Sequence, residues 1–439
     1  MGEKARILVL NVHKKDAESM NDFADQNARL LIENFGGGAV FHFSDSVASR
    51  GIRSTEEEIL RLVRDDGIDM VFFAPNGDSY ELGIEFFRDL KEQTGARLVL
   101  WALDDEMIFD VLSKYYAQVF DAAVTTDYYA CFAYRKLGLP AIYYFSSYLK
   151  KDFHQVEIKK DIGVSFIGDC SKGGRAGYIE CLRKNGIGVA TFGDGSENGF
   201  VKKEDIPAIF SRSKINLNFT KVDSAGPHAW FLGENALTNI VRQNKGRPME
   251  IALTGSFCLS EYSPSLGETF VTGKEIDTFH DEDSLLEKVR YYLENDSERA
   301  GIAEAALKKA ERFEADAYFP ILVEEISRLL DGSVYPQRSR AIHKDPAFKR
   351  NHVIRLTILM FFQLSKLKLA PTIESFVNTF QYGPGIFLSA FPKGITIAFS
   401  KAFRKKRVKN AKDKAQSPLH SIDNAALPGR GRCGLRHNP

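Results

Sequence analysis

The chain has 439 residues, 44% of them hydrophobic, and 59 Lys and Arg against 58 Asp and Glu, a formal net charge of +1. That length accommodates two domains and a tail with substantial cores, and the balanced charge offers no whole-chain argument for a nucleic-acid partner. The five cysteines, Cys131, Cys170, Cys181, Cys258 and Cys433, show no CxxC or metal-ligand spacing, so no metal site is expected. They read as thiols of a reducing, cytoplasmic compartment, three of them in apolar segments.

The opening MGEKARILVLNV has too short an apolar run for a signal peptide and reads as a first strand, and Gly2 lacks the Ser or Thr of a myristoylation motif. Short apolar runs then recur at Ile7–Val12, Ala39–Phe43, Met70–Ala74, Leu98–Leu103, Ala122–Thr125 and Ala141–Tyr144, as strands buried on both faces of a parallel sheet do. Helices are expected between them at Asp22–Asn34, Thr55–Arg64, Leu82–Glu92 and Tyr128–Leu137, with Thr55 and Glu58 spaced as a capping box. Gly36–Gly38 lacks a following Lys-Ser/Thr and reads as a turn. This alternation predicts an α/β fold, a doubly wound Rossmann-like sheet with right-handed crossovers over residues 1–150.

Ligands of such sheets collect at the carboxyl ends of the strands. That nominates His13 after the first strand, Pro75 and Asn76 after the third, and Asp104 and Asp105 after the fourth. Asp105 or His13 could serve as general base toward an acceptor hydroxyl; alternatively, Asp104 or Asp105 caps the helix that begins near Met107.

Residues 145–160 are mixed and polar and read as a linker. A second Rossmann-like domain over 151–330 restarts with Ile162–Ile167 and the loop GDCSKGGRAG, holding Gly168, Gly173, Gly174 and then Arg175 at a helix start. A strand–Gly loop–helix unit can cradle phosphate through backbone N–H groups, and Arg175 suits either a phosphate or an interdomain contact. Strands follow at Val189–Phe192 and Ile215–Phe219. The irregular stretch 222–244, with His228, Trp230, Glu234 and Asn235, reads as a lid or as an insertion without chemistry. In KGRPMEIALTGSFCLSE, Pro248 sits where a helix begins and Gly255 where it ends. Lys245 and Arg247 flank its start and Glu250 lies one turn on, an arrangement that suits a phosphate and a sugar diol. The other reading is an amphipathic αβ unit with solvated charges.

KGRPMEIALTGSFCLSEY, followed by LGETFVTGKEIDTFHDEDSLLEKVRYYLEND, resembles the C-terminal domain of the CgeB-like (spore maturation protein type) glycosyltransferases, two-domain enzymes of the GT-B superfamily. The matching positions are Lys245, Gly246, Arg247 and Glu250, then Gly255, and a Gly-Lys-Glu strand at Gly273, Lys274 and Glu275. The likeness extends more weakly over 5–330. It implies a GT-B-like cleft, no cofactor beyond a nucleotide-sugar co-substrate, and a glycan, lipid-linked or other hydroxyl acceptor on the first domain. Arg175, Lys245 and Arg247 would then meet the diphosphate and Glu250 the ribose, with Gly168 in the donor loop. Many retaining GT-B enzymes carry a second glutamate eight residues before Glu250. Here Arg242 stands in that place, which leaves the stereochemical outcome and the presence of turnover open. An inert sugar- or nucleotide-binding member of the fold is the alternative.

Helices are expected at Glu282–Asn295, Ser297–Phe313 and Ala315–Leu330, the last apolar enough to cross back to the first domain. Residues 331–414 change character: Val353–Phe362 is apolar but interrupted by Arg355, and Lys401–Lys414 carries eight Lys or Arg against one acid. Neither Val353–Phe362 nor the uncharged Ser375–Pro392, which contains Asn378, Gln381 and Gly383-Pro384-Gly385, suits a membrane span. The stretch 353–414 suits docking at an anionic surface on the inner face of a membrane, or extra packing helices with a solvated tail. The final segment, 415–439, has the composition of a disordered tail.

Overall fold

A computed structural model describes residues 5–11, 21–75, 80–172, 174–222, 241–243, 246–332 and 345–415. Two wholly parallel sheets organise the chain to Ala398. The first has six strands, β1 (Ile7–Asn11), β2 (Gly38–His42), β3 (Met70–Phe73), β4 (Arg97–Ala102), β5 (Ala122–Thr125) and β6 (Ala141–Tyr143), in the order β2-β1-β3-β4-β5-β6. The second has five, β7 (Ile162–Ile167), β8 (Val189–Phe192), β9 (Ser213–Asn218), β10 (Cys258–Glu261) and β11 (Asp277–Phe279), in the order β11-β10-β9-β7-β8. β1, β3 and β5 are buried along their whole length, because helices cover both faces of a parallel sheet. The strand order reverses beside β1 in one sheet and beside β7 in the other, and those reversals open the crevices where such folds bind ligands.

Local chemistry sets the turns. A Cβ on Gly38 would lie 1.9 Å from the Ile7 carbonyl oxygen, so the glycine run before β2 lets the chain close onto β1. The expected capping box at Thr55 does not form. Gly51 precedes the helix Ile52–Asp65, and the Thr55 hydroxyl, one turn inside, donates to the Gly51 carbonyl at 2.7 Å and meets Ser46 Oγ at 2.7 Å. The helix Phe43–Arg50, too polar and short to signal itself, fills the preceding gap. Gly273, Lys274 and Glu275 form a tight turn closed by a Thr272–Ile276 bridge rather than a strand; Gly273 has φ +78°. Asp281 and Ser284 make a reciprocal capping box for the helix Glu282–Glu294.

The helix Ala315–Asp331 crosses back to the first sheet, where Ala315, Phe319, Leu322, Ile326 and Leu330 pack with Val9, Phe72, Val99 and Val124. The helix Pro346–Ser365 follows it there: Phe348, Leu356 and Leu359 join the core containing Phe43, Phe73 and Phe87. The apolar run 353–362, for which a membrane surface was one expectation, is therefore core. Val353 and Leu356 are fully buried, and Arg355 is buried near the Tyr116 phenol, as is Glu81. Among the described residues no helix is long and apolar enough to cross a membrane.

Leu356→Ala leaves a cavity in the first-domain core and should lower stability by about 2–5 kcal/mol in chemical denaturation of the full chain. A change near zero would mean that this helix does not pack on the sheet.

Candidate functional site

The carboxyl ends of β7 and β8 are joined backbone to backbone. The Gly168 N–H donates to the Phe192 carbonyl at 2.8 Å and that of Cys170 to Asp194 at 2.9 Å. A Cβ on Gly193 would lie 2.4 Å from the Gly168 carbonyl oxygen, so this approach requires glycine. Gly174, at φ +76°, then turns the chain into the helix Arg175–Lys184. Arg175 Nη1 donates to the Asp169 carbonyl at 2.9 Å, and its guanidinium lies 5.6 Å from the Phe166 ring centre. Its Nε is buried with no partner. Burial pushes the Arg175 pKa down, Asp169 opposes that, and the charge of Arg247 adds to it. The two guanidiniums thus stand close enough to repel, the condition a bound polyanion relieves.

Glu261, which the sequence reading passed over, lies at the end of β10 with no exposure. Its Oε2 accepts from the Thr220 and Lys221 backbone N–H groups, each at 2.8 Å. Its Oε1 accepts from Tyr178 Oη at 3.2 Å and pairs with Arg242 Nε at 3.2 Å. Arg242 also forms an antiparallel bridge to Lys221. One buried carboxylate therefore gathers the end of β9, the helix 175–184 and the strip 241–243. The Lys221 ammonium comes within 4.0 Å of where a Gly174 Cβ would stand.

The helix Arg247–Leu253 starts where Gly246 presses on Tyr148, whose Oη a Cβ there would meet at 1.8 Å. Arg247 Nη1 donates to Glu250 Oε2, and its guanidinium lies 5.7 Å from the Phe210 ring centre. Glu250 is 9% exposed. Tyr148 is partly buried beside it, and desolvation first, then the Glu250 charge, pushes the phenol well above its usual range.

Of the residues nominated from sequence, Gly168, Arg175, Arg247 and Glu250 lie at this carboxyl-edge region. His13, Asn76, Gly173, His228, Trp230, Glu234, Asn235 and Lys245 lie outside the described residues. Asp105 is elsewhere, under the β4 exit and 2% exposed. Thr125 Oγ1 donates to its Oδ2 at 2.7 Å, and burial pushes its pKa up from 3.8 to about 7, with the Ser113, Thr125 and Tyr134 hydroxyls pulling the other way. Its Oδ1 is buried without a hydrogen-bond partner. Its neighbour Asp104 accepts from Gln243 Nε2 and ties the first domain to the strip that carries Arg242. At the ends of β1 and β2, Asn11 Nδ2 donates to Asp25 Oδ1 at 2.6 Å, and His42 Nε2 is 3.9 Å from the same oxygen. The only hint in sequence is that ILVL and GAVF are each followed by a polar residue, Asn11 and His42.

Residues 175–317 match a family model described as glycosyl transferase-like. No curated protein sequence matches the chain. Among solved structures, HepE of Anabaena in complex with UDP and glucose is 13% identical at a TM-score of 0.51, over 74% of this chain and 99% of that one. Sucrose-phosphate synthase of Thermosynechococcus elongatus is 12% identical at 0.52, over 75% and 100%. A glycosyltransferase of Rickettsia africae is 11% identical at 0.55, over 75% and 99%.

An acid raised by burial favours folding while protonated. The contribution of Asp105 is present below pH 3.8 and is lost as pH rises toward 7. Asp105→Asn should flatten the fall in melting temperature between pH 4 and pH 8; an unchanged slope would contradict the enclosed, raised carboxyl.

The chain is thus an α/β protein with two parallel sheets and a GT-B-like fold, and its residues 175–317 match a family model described as glycosyl transferase-like.

Proposed function

We propose that the protein transfers a sugar from a nucleotide-sugar donor, with a uridine diphosphate leaving group, to a hydroxyl of a glycan or lipid-linked acceptor. The observation that carries this reading is the gathering of Arg175, Lys221 and Arg242 around the buried Glu261 at the carboxyl edge of the second sheet, with Arg247 near enough to Arg175 for their charges to interact. Guanidinium groups held in place before substrate arrives stabilise the negative charge that grows on the departing diphosphate. Arg175 brings a buried Nε that a phosphate oxygen can satisfy. Glu250 takes the ribose hydroxyls, with Arg247 and Tyr148 holding its carboxylate. UDP is the nucleotide in the HepE complexes, which supports choosing it here. The run Lys245-Gly246-Arg247 with Glu250 further supports placing the chain among the CgeB-like enzymes.

The first sheet takes the acceptor. With Asp105 enclosed, the base role passes to His42, whose Nε2 stands 3.9 Å from Asp25 Oδ1, with His13, two residues after β1 in sequence, a second candidate. A carboxylate near an imidazole stabilises the imidazolium formed on proton abstraction. A second reading, binding without turnover, is favoured by one feature: Arg242 stands where a retaining enzyme would carry glutamate, and it is committed to Glu261.

Calorimetric titration of the full chain with UDP, GDP, ADP, CDP and CMP should show one nucleotide bound. Arg247→Ala with Glu250→Ala should weaken that binding by about tenfold or more, roughly 1.4 kcal/mol. No binding by the folded protein would overturn the donor site. His42→Ala should lower kcat by about 10²–10⁴-fold while leaving nucleotide affinity unchanged; binding without turnover in the unmodified chain would establish the second reading.

A further inference from the structure

The helix Leu369–Asn378 is amphipathic in the reverse sense for an element that faces water. Its polar side chains turn inward. The Glu374 carboxylate accepts from the backbone N–H groups of Ile52 and Arg53, each at 2.9 Å, and so caps the helix 52–65. Ser375 Oγ donates to Gln363 Oε1 at 2.7 Å, and Gln363 Nε2 donates in turn to the Val47 carbonyl at 2.9 Å. Its apolar side chains turn outward: Leu369, Ile373 and Val377 are 65%, 63% and 60% exposed, and Phe376 and Phe380 join them. Leu367 just before the helix is 83% exposed and, among the described residues, the one non-glycine with positive φ, at 55°. A bulky residue held in that region is strained. Phe380 stacks on Phe387 with ring centres 4.1 Å apart, and Phe387 on Phe391 at 4.6 Å, so the apolar face continues onto the next helix.

Within this stretch of the sequence charge is one-sided, although Glu56 of the helix 52–65 approaches Glu374 from the inner side. Between Asp345 and Asp413 the sequence contains one acid, Glu374, and that carboxylate is spent on the cap. Lys366, Lys368 and Lys393 are exposed about the face, and eight Lys or Arg follow in the sequence over 401–414. A protein partner would require only the apolar patch. An anionic bilayer requires both parts, since acyl chains accept the aromatic and aliphatic side chains while lipid phosphates meet the lysines.

We propose that Leu367, Leu369, Ile373, Phe376, Val377 and Phe380 form a foot that seats the first domain in the interface of an anionic membrane without crossing it. The inference is independent of the donor site, so either can fail alone. It narrows the membrane expectation to 367–391 plus the basic run and removes the helix 346–365 from it, since that helix is core.

The test is co-sedimentation of the full chain with vesicles of phosphatidylcholine alone and of phosphatidylcholine with 30% phosphatidylglycerol, beside Ile373→Glu/Val377→Glu. Both substituted side chains are exposed, so the variant should keep the melting temperature of the unmodified chain. The foot predicts binding to the anionic vesicles, at least tenfold weaker binding to the neutral ones, and at least tenfold weaker anionic binding in the variant. Equal binding by the variant would assign any attraction to the basic run and overturn the foot, as would the absence of vesicle binding. A dimer in light scattering that the variant abolishes, without vesicle binding, would give the face to a second copy and overturn it too.

Discussion

A carboxylate taken wholly out of water is costly unless every lone pair is met, and removing one partner of such a group typically costs about 3–5 kcal/mol. Glu261 meets that condition with two backbone N–H groups, a phenol and a guanidinium. Because its partners come from the end of β9, the helix 175–184 and the strip 241–243, satisfying this one side chain places three segments at one edge of the second sheet. The cations they carry cannot spread apart without exposing Glu261. Burial lowers the Arg175 pKa, and the Arg247 charge adds to that while Asp169 opposes it. Arg242, in the place of an expected glutamate, belongs to this balance: it pairs with a carboxylate from β10 instead of supplying one.

The two sheets are held to each other by polar contacts as well as by the returning helix 315–331. Asp104 receives Gln243, Tyr143 Oη donates to the Ser265 carbonyl at 3.0 Å, and Tyr148 closes on Gly246. Two of these three contacts fall beside residues of the donor edge. Gln243 adjoins Arg242 and Gly246 adjoins Arg247 in the chain, so these contacts also fix the backbone beside both guanidiniums.

Much of the fold was legible in the sequence because parallel strands are short, doubly buried apolar runs, and β5 and β7 fall at the expected residues. The donor edge was legible only in part. Gly168, Arg175, Arg247 and Glu250 are local signals, turns and helix starts with charge beside them. Glu261 was not, since its partners lie 19 to 83 residues away in the chain and a glutamate after a strand looks like any surface acid. Asp105 shows the converse: a loop carboxylate at the carboxyl end of a strand reads as an active-site candidate, but only folding reveals that Thr125 and Tyr134 enclose it. The run 353–362 was ambiguous for another reason. Apolar composition alone does not separate core from membrane surface, and Arg355, which interrupts the run, is itself buried.

Hydrogen exchange on the full chain, with and without UDP, tests the central claim most directly. Amides of 168–175, 220–222 and 242–250 should exchange more slowly with nucleotide bound, because the cations and loops gathered by Glu261 would then be held by the diphosphate as well. Protection confined to the first sheet, or none at nucleotide concentrations that saturate the chain, would contradict the account.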